Sequence, residues 1–276
     1  MTAFICVLLA ITAAFLLLLS LYLFLLIPRT DHPGWDKIAT FRYAHRGLHD
    51  KSIGIPENSL TAFRRAVEHG YGAELDVHLL KDGTLAVFHD SSLKRICGEE
   101  GIIEDLTAED LGKYHLLGTE ESIPRFEDVL AVFEDKTPLI IELKVVNNNY
   151  AALTDATMEV LKSWNGTYCI ESFHPGVVKH LKEHYPEVIR GQLSENFFKS
   201  KSIPFGKAFL MTFLLTTFFT APDFIAYAHE DRANISLRLM RKLYGVHEVG
   251  WTIREQTVME TLEQDGVSPI FENFIP

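Results

Sequence analysis

The sequence predicts an α/β fold: a (β/α)8 TIM barrel carried behind one N-terminal transmembrane helix. Three observations predict it. The stretch from Ala3 to Ile27 holds no charged side chain, and after it short apolar runs of strand length alternate with amphipathic runs of helix length. The residues that follow the first twenty-seven number about 250, the size of one such barrel.

The first element is the anchor, residues 1–28. Twenty-five uncharged residues make a helix of about 37 Å, enough to cross a hydrocarbon core of roughly 30 Å with some tilt. A cleaved secretory signal fits less well, because its n-region would be Met1-Thr2 with no basic residue, and the apolar run continues through Leu25-Leu26-Ile27. An uncleaved, single-pass anchor is expected. Arg29, Lys37 and Arg42 all follow it, which by the positive-inside tendency favours a cytoplasmic barrel.

Residues 29–40 form a polar connector containing Pro33-Gly34, and the barrel domain occupies 41–276. Strands are predicted at Phe41–His45, Ala73–Val77, Leu85–His89, Leu139–Leu143, Tyr168–Ser172, Val188–Gly191, Phe224–Tyr227, Glu248–Ile253 and Pro269–Glu272. Helices are predicted at Ser59–His69, Asn149–Trp164, Pro175–His184, Ile235–Tyr244 and Gln256–Gln264, with Ser59 as N-cap and Gly70 as C-cap of the first. Nine strands are one too many for the barrel. Only His78 to Thr84 separates the second from the third, too few residues for a crossover helix, and Lys81-Asp82-Gly83 is a turn signal. These two strands therefore form an antiparallel hairpin that sets Asp76 opposite Phe88 and returns His89 beside Glu74 and Asp76. Eight strands remain for the barrel.

One segment departs from this pattern. Residues 196–221 carry Lys199, Lys201 and Lys207 and then run from Ala208 to Ala221 without a charge. Fourteen residues are too few to span a bilayer, so the segment is either a buried core helix or an interfacial element that lays the barrel mouth on the membrane.

Composition excludes other classes. With 37 acidic against 26 basic residues the net charge is −11, which argues against a nucleic-acid partner. Cys97 and Cys169, the only cysteines outside the anchor, make no disulfide framework.

Four short segments hold charged groups that folding does not require: His45-Arg46 followed by Pro56-Glu57-Asn58-Ser59, Glu74-Leu75-Asp76, His89-Asp90, and Glu142-Leu143-Lys144. Glu74 and Asp76 alternate along a strand and so face one way, where two carboxylates repel unless a cation lies between them. All four segments lie near C-terminal strand ends or at the base of the hairpin, the end where barrels build active sites. Three acidic oxygen donors, two histidines, an arginine and a lysine suit a metal-assisted phosphoester site. Carboxylate ligands favour Mg2+ or Ca2+ over zinc.

The chain also resembles a known family. His45-Arg46-Gly47, the PENS of 56–59, the ELDV of 74–77 with KDG at 81–83, the FHD of 88–90, the IELK of 141–144, the SFHP of 172–175 and Trp251-Thr252 look like the successive signatures of glycerophosphodiester phosphodiesterases, from Phe41 to about Asp265. The resemblance implies a phosphodiesterase-type barrel and metal-dependent hydrolysis of glycerophosphodiesters to glycerol 3-phosphate and an alcohol. It implies Glu74, Asp76 and Glu142 as ligands of one divalent ion, and His45 and His89 as acid and base working through a cyclic phosphate. Arg46 and Lys144 would hold the phosphate oxygens, Glu57 would orient Arg46 or bind near the metal, and Trp251 would pack against the glycerol. The chain departs from the family at its end, where Phe271-Glu272-Asn273-Phe274 replaces the usual Thr-Asp, so no residue is assigned to that aspartate's polar contact. The apolar insert is a second departure, and with the anchor it suggests an alternative, lysophospholipase D activity on membrane lysophospholipids. A third reading, a non-catalytic membrane-tethered binding module, is disfavoured by the His45/His89 pair.

Overall fold

The computed structural model of the protein describes residues 2–134, 136–199 and 203–276. Met1 of the predicted anchor and Lys201 of the predicted insert lie outside the described residues. The strands are β1 (Tyr43–Ala44), β2 (Gly72–Leu79), β3 (Leu85–Val87), β4 (Leu139–Leu143), β5 (Tyr168–Ser172), β6 (Arg190–Ser194), β7 (Phe224–Ala228), β8 (His247–Ile253) and β9 (Val267–Phe271). Eight of them pair in parallel, and β1 bonds both β2 and β9, which closes the barrel. The remaining strand, β3, runs antiparallel to β2 with Val77 opposite Val87, and the Phe88 N–H donates to the Asp76 carbonyl at 3.0 Å. That is the register the short Lys81-Asp82-Gly83 turn predicts.

Alternation along each strand divides the barrel interior into layers. Tyr43, Ile140, Cys169, Phe224, Val249 and Ile270 form a buried apolar floor, which Trp35 and Ile38 of the connector close from below. Two residues further along, the same inward register places His45, Glu142, Glu171, Trp251 and Glu272 towards the C-terminal ends. The outward register (Leu75, Leu139, Ile141, Ile170) packs under the helices with Phe63, Phe133 and Leu181. Close approach fixes one position here: a side chain at Gly191 would place its Cβ 2.2 Å from the Phe224 ring.

Helix ends follow local chemistry. Ser59 caps helix Leu60–Glu68 by accepting from the Ala62 N–H at 3.1 Å, and Gly70 follows in the left-handed region (φ +75°). Helices Pro175–His184 and Gln256–Gln264 keep their predicted bounds, and Tyr150–Leu161 lies within its predicted range. The predicted helix Ile235–Tyr244 is α-helical to Leu239 and closes in a π turn, Met240–Tyr244.

Three expectations need correction. β1 spans only Tyr43–Ala44, with His45 just beyond it. β6 starts at Arg190 rather than Val188, because the Val188 N–H bonds the Tyr185 carbonyl in a turn. Its polar Gln192 and Ser194 are buried by bonding carbonyls of neighbouring segments, which no apolar pattern registers. The crossover from β3 to β4 contains a helix, Phe126–Phe133, absent from the sequence expectation. It buries Phe126, Val129, Leu130 and Phe133 on one face.

The N-terminal helix, Thr2–Leu25, is long and apolar enough to cross a membrane, and none of its apolar window is buried against the barrel. Its inner end is docked. Leu26 is fully buried in a cluster with Leu214, Ile225, Tyr227, Leu237 and Met240. The Tyr22 hydroxyl lies 2.7 Å from Ser236 Oγ, and the Tyr244 hydroxyl donates to the Leu23 carbonyl at 2.9 Å. Arg29 forms a bidentate ion pair with the buried Asp223 and donates to the Pro186 and Val188 carbonyls.

The insert is not one helix. It forms Phe205–Thr212 and the short turn of helix Thr217–Thr220. Ala208, Thr212, Leu214 and Thr217 face inward, whereas Phe205 (75% exposed), Phe209, Leu210 and Phe218 face solvent, so the segment is partly core and partly surface.

Candidate active site

The site begins with a tight turn. After β1 the chain takes left-handed conformations at Arg46 (φ 55°) and Gly47 (φ +79°), where a Cβ on Gly47 would meet Ala62 at 2.9 Å. The turn aims the Arg46 N–H at Glu74 Oε2 (3.1 Å) and the guanidinium at Glu57 Oε1 (2.6 Å) and Asp76 Oδ2 (3.5 Å). Asn58, also left-handed, donates through Nδ2 to Asp76 at 2.9 Å.

Glu74 and Asp76 on β2 and Glu142 on β4 then converge, since Asp76 and Glu142 are register partners. One carboxylate oxygen from each lies within 4.8 Å of the others, and all three residues are buried. Lys144 Nζ sits 2.8 Å from both Asp76 and Glu142. Burial works against the charge on Asp76, but Lys144, with His89 and Arg46, outweighs it and holds this carboxyl well below the usual range. Glu74 goes the other way: burial, with Asp76 and Glu142 beside it, pushes its carboxyl well up. Burial also raises Glu142, partly offset by Lys144. Three buried carboxyls face two cations, one of them shared with Glu57, and the upward push on Glu74 and Glu142 marks the cost of ionising all three side by side. A cation between them would relieve that cost, and an all-oxygen donor set fits a hard divalent one.

The two histidines each carry a carboxylate partner. His45 Nδ1 lies 3.1 Å from Glu272 Oε1, and its Nε2 is 3.9 Å from Glu74. His89 Nδ1 lies 2.5 Å from Asp90 Oδ1. Burial lowers both imidazoles, opposed at His45 by Glu272 and at His89 by Asp76 and Asp90. Asp90 is held in turn by Arg95, which also grips Glu57 through two bonds of 2.9 and 2.8 Å. Arg46, Glu57, Arg95, Asp90 and His89 thus form one continuous chain of charge-assisted bonds. Burial opposes charge on Glu57, yet Arg95 and Arg46 bring its carboxyl down to about 2.

A cavity of about 290 Å3 opens over this cluster, lined by His89, Glu142 and Lys144 on one side and by Phe173, Lys207 and Met211 on the other. Trp251 packs edge-on against Phe173 at 5.6 Å, and its buried Nε1 has no hydrogen-bond partner among the described residues.

All nine residues singled out in the sequence therefore lie at one end of the barrel, with Glu57 placed to orient Arg46. Four others were not foreseen. Glu272 supplies a carboxylate to His45 from the altered closing segment. Glu171, buried beside Glu142 with its carboxyl pushed well up by burial, was detectable as an acid in an apolar strand at the register of Glu142. Arg95 joins Glu57 to Asp90, and Lys207 comes to the cavity from the insert.

The sequence profile of the Glycerophosphoryl diester phosphodiesterase family matches residues 45–276. The chain belongs to this family. It is 34% identical over 164 residues to a glycerophosphodiester phosphodiesterase of Caldanaerobacter subterraneus subsp. tengcongensis, a match covering 56% of this chain and 66% of that protein. It is 31% identical over 175 residues to a lysophospholipase D of Homo sapiens, covering 56% of this chain and 54% of the other. The chain thus spans less than two thirds of the length of these curated relatives. Among solved structures, a phosphodiesterase of Oleispira antarctica, in complex with sn-glycerol-3-phosphate, superposes with a TM-score of 0.71 at 22% identity, covering 86% of this chain and 94% of that one. At that identity the likeness concerns the fold. All nine residues lie within the matched range.

Proposed function

We propose that this protein hydrolyses glycerophosphodiesters to glycerol 3-phosphate and an alcohol. The observation that carries the reading is the placement of two carboxylate-partnered histidines, His45 and His89, on a buried cluster of Glu74, Asp76 and Glu142. His–carboxylate pairing fixes the ring and tautomer, leaving the second nitrogen free to move a proton. Names of relatives support the reading: one acts on glycerophosphodiesters by its name, and a structural neighbour was solved with glycerol 3-phosphate.

In this reading one imidazole removes the proton of the glycerol 2-hydroxyl as that oxygen attacks phosphorus, and the other protonates the departing alkoxide. The cyclic phosphate then opens with water, the two histidines exchanging roles. Arg46 and Lys144 hold the nonbridging oxygens and offset their charge. Glu57 and Arg95 keep Arg46 and Asp90 in place, and Trp251 offers its ring to the glycerol and its unpartnered N–H to an oxygen. Glu74, Asp76 and Glu142 would hold one divalent ion, Mg2+ or Ca2+, which when bound supplies Lewis-acid stabilisation of charge on the phosphate.

In the same reading Thr2–Leu25 crosses the bilayer once and the barrel is cytoplasmic, with residues 197–221 adding surface contact. Exposed Phe205 and Phe209 share a helix with Lys207 and Met211, which line the cavity. This arrangement favours a second reading in which the phosphodiester belongs to a lysophospholipid, as in the human relative's name.

Hydrolysis of glycerophosphocholine and lysophosphatidylcholine, each with Mg2+, Ca2+ or EDTA, tests both. EDTA-sensitive release of glycerol 3-phosphate from glycerophosphocholine is expected; the lysophospholipid would give choline and an acylated glycerol phosphate. Activity untouched by EDTA would remove the metal from the scheme, and turnover of neither diester under any condition would refute the function. Faster turnover of the lysophospholipid would favour the second reading.

A further inference from the structure

The helix Ile235–Leu239 with its π turn Met240–Tyr244 has two unlike sides. Its inner side, Leu237 and Met240, packs in the cluster that buries Leu26, while Ser236 and Tyr244 bond Tyr22 and Leu23. Its outer side carries Arg238 and Lys242, both exposed and without an ion pair among the described residues, and these line a groove of about 600 Å3 with Arg232 and Arg241. Arg232 and Arg241 are fixed by Glu248 at 3.0 and 2.8 Å, and Asp265, the one acid lining the groove, bonds Arg232 at 3.0 Å. Exposed Ile235 and Leu243 stand on the same element. Four cations together are conspicuous in a chain of net charge −11.

We propose that this groove is where the protein meets the anionic head groups of the bilayer crossed by its N-terminal helix, so that this flank of the barrel lies on the membrane surface. The proposal rests on the reading of Thr2–Leu25 as membrane-spanning. A bilayer is the occupant the geometry points to for two reasons. The groove is built on the helix against which the inner end of the spanning segment is locked, leaving no slack by which that flank could stand far from the head groups. Its pairing of basic side chains with exposed aliphatic ones is the composition of interfacial elements, the apolar groups entering the head-group boundary while the cations meet phosphates.

The test uses the full chain in lipid nanodiscs with a photo-crosslinking residue, Leu243→p-benzoylphenylalanine, and lipid adducts read by mass spectrometry. Discs of phosphatidylcholine are compared with discs containing phosphatidylglycerol, at low and high salt. Each basic residue near an anionic surface changes the equilibrium about fivefold, so Arg238→Glu with Lys242→Glu is expected to reduce adducts at least that much in anionic discs. High salt should do the same. Retained hydrolysis of a soluble diester by the double variant shows the barrel intact. Equal yields in both kinds of disc, or yields unmoved by the double variant, would overturn the proposal. A chain that enters the discs but forms no lipid adduct would overturn this surface alone, whereas a chain that never enters them would overturn the spanning helix and the surface together.

Discussion

Glu272→Gln isolates the role of a residue that the family resemblance left unassigned. Glu272 receives His45 at 3.1 Å, His49 at 3.3 Å and Arg254 at 2.9 Å, and these partners hold its carboxyl far below its usual range despite burial. Glutamine keeps the size and one acceptor but loses the charge that favours the imidazolium. A hydrogen bond to a charged group contributes about 1.5–3 kcal/mol, and losing that amount from the transition state lowers kcat by roughly 10–100-fold. The pH–rate profile supplies a readout that a merely structural role would not move. Glu272 raises His45 against the lowering effect of burial, so without the carboxylate the His45 pKa falls further. Whether His45 acts as base or acid, the limb it controls moves to lower pH. Steady-state hydrolysis of glycerophosphocholine across pH, with melting curves to verify the fold, would measure both effects. An unchanged kcat with an unchanged profile would refute the positioning role.

Three further predictions follow from other parts of the molecule. His89→Ala should lose the general acid–base contribution, about 10²–10⁴-fold in kcat, and near-normal turnover would exclude His89 from the chemistry. Leu26→Ala should cost about 2–5 kcal/mol and lower the melting temperature of the full chain by about 5–15 °C, because Leu26 is fully buried between the insert and β7; an unaltered melting curve would mean that the inner end of the N-terminal helix is not docked. Acid should destabilise the fold through Glu57. Its folded pKa of about 2 lies below the ordinary value of 4.5, so its contribution, on the order of 3 kcal/mol, is present above pH 4.5 and disappears as pH falls towards 2. Glu57→Gln should flatten that part of the stability–pH curve, and an equally steep loss in the variant would assign acid sensitivity elsewhere.

How far these features could be read in the sequence depended on whether their causes were local. The β2–β3 hairpin was legible because the seven residues His78 to Thr84 cannot hold a crossover helix, and its register alone carried His89 back to Asp76. Glu74, Asp76 and Glu142 were legible as acids in strands otherwise apolar. Helix Phe126–Phe133 was not, since its eight residues are bounded by irregular turns and its amphipathic face covers two turns only. Glu272 could not be paired with His45 from sequence, because 227 positions separate them and only closure of β9 onto β1 joins them. Arg95 was hidden for the opposite reason: it stands in a short surface helix, Lys94–Cys97, where a basic residue ordinarily signifies solubility.

The insert illustrates a limit of hydropathy as evidence. Its uncharged run from Ala208 to Ala221 reads as uniformly apolar, but the fold divides it. Leu214 and Thr217 fill space against the barrel, Met211 faces the cavity, and Phe209, Leu210 and Phe218 are left outside. Phe218 lies 6.5 Å from Phe24, ring centre to ring centre, so the exposed side chains continue directly from the N-terminal helix. Sharing one short helix between the cavity wall and the outer apolar surface has a mechanical consequence. Any lipid contact that shifts Phe205 and Phe209 must also shift Lys207 and Met211, since 1.5 Å per residue of rigid helix connects them. If the helix Thr2–Leu25 spans a bilayer, this coupling would make turnover sensitive to the membrane surface even for a soluble diester. Docking through Leu26 and Arg29 would keep that surface at a fixed distance from the catalytic cluster.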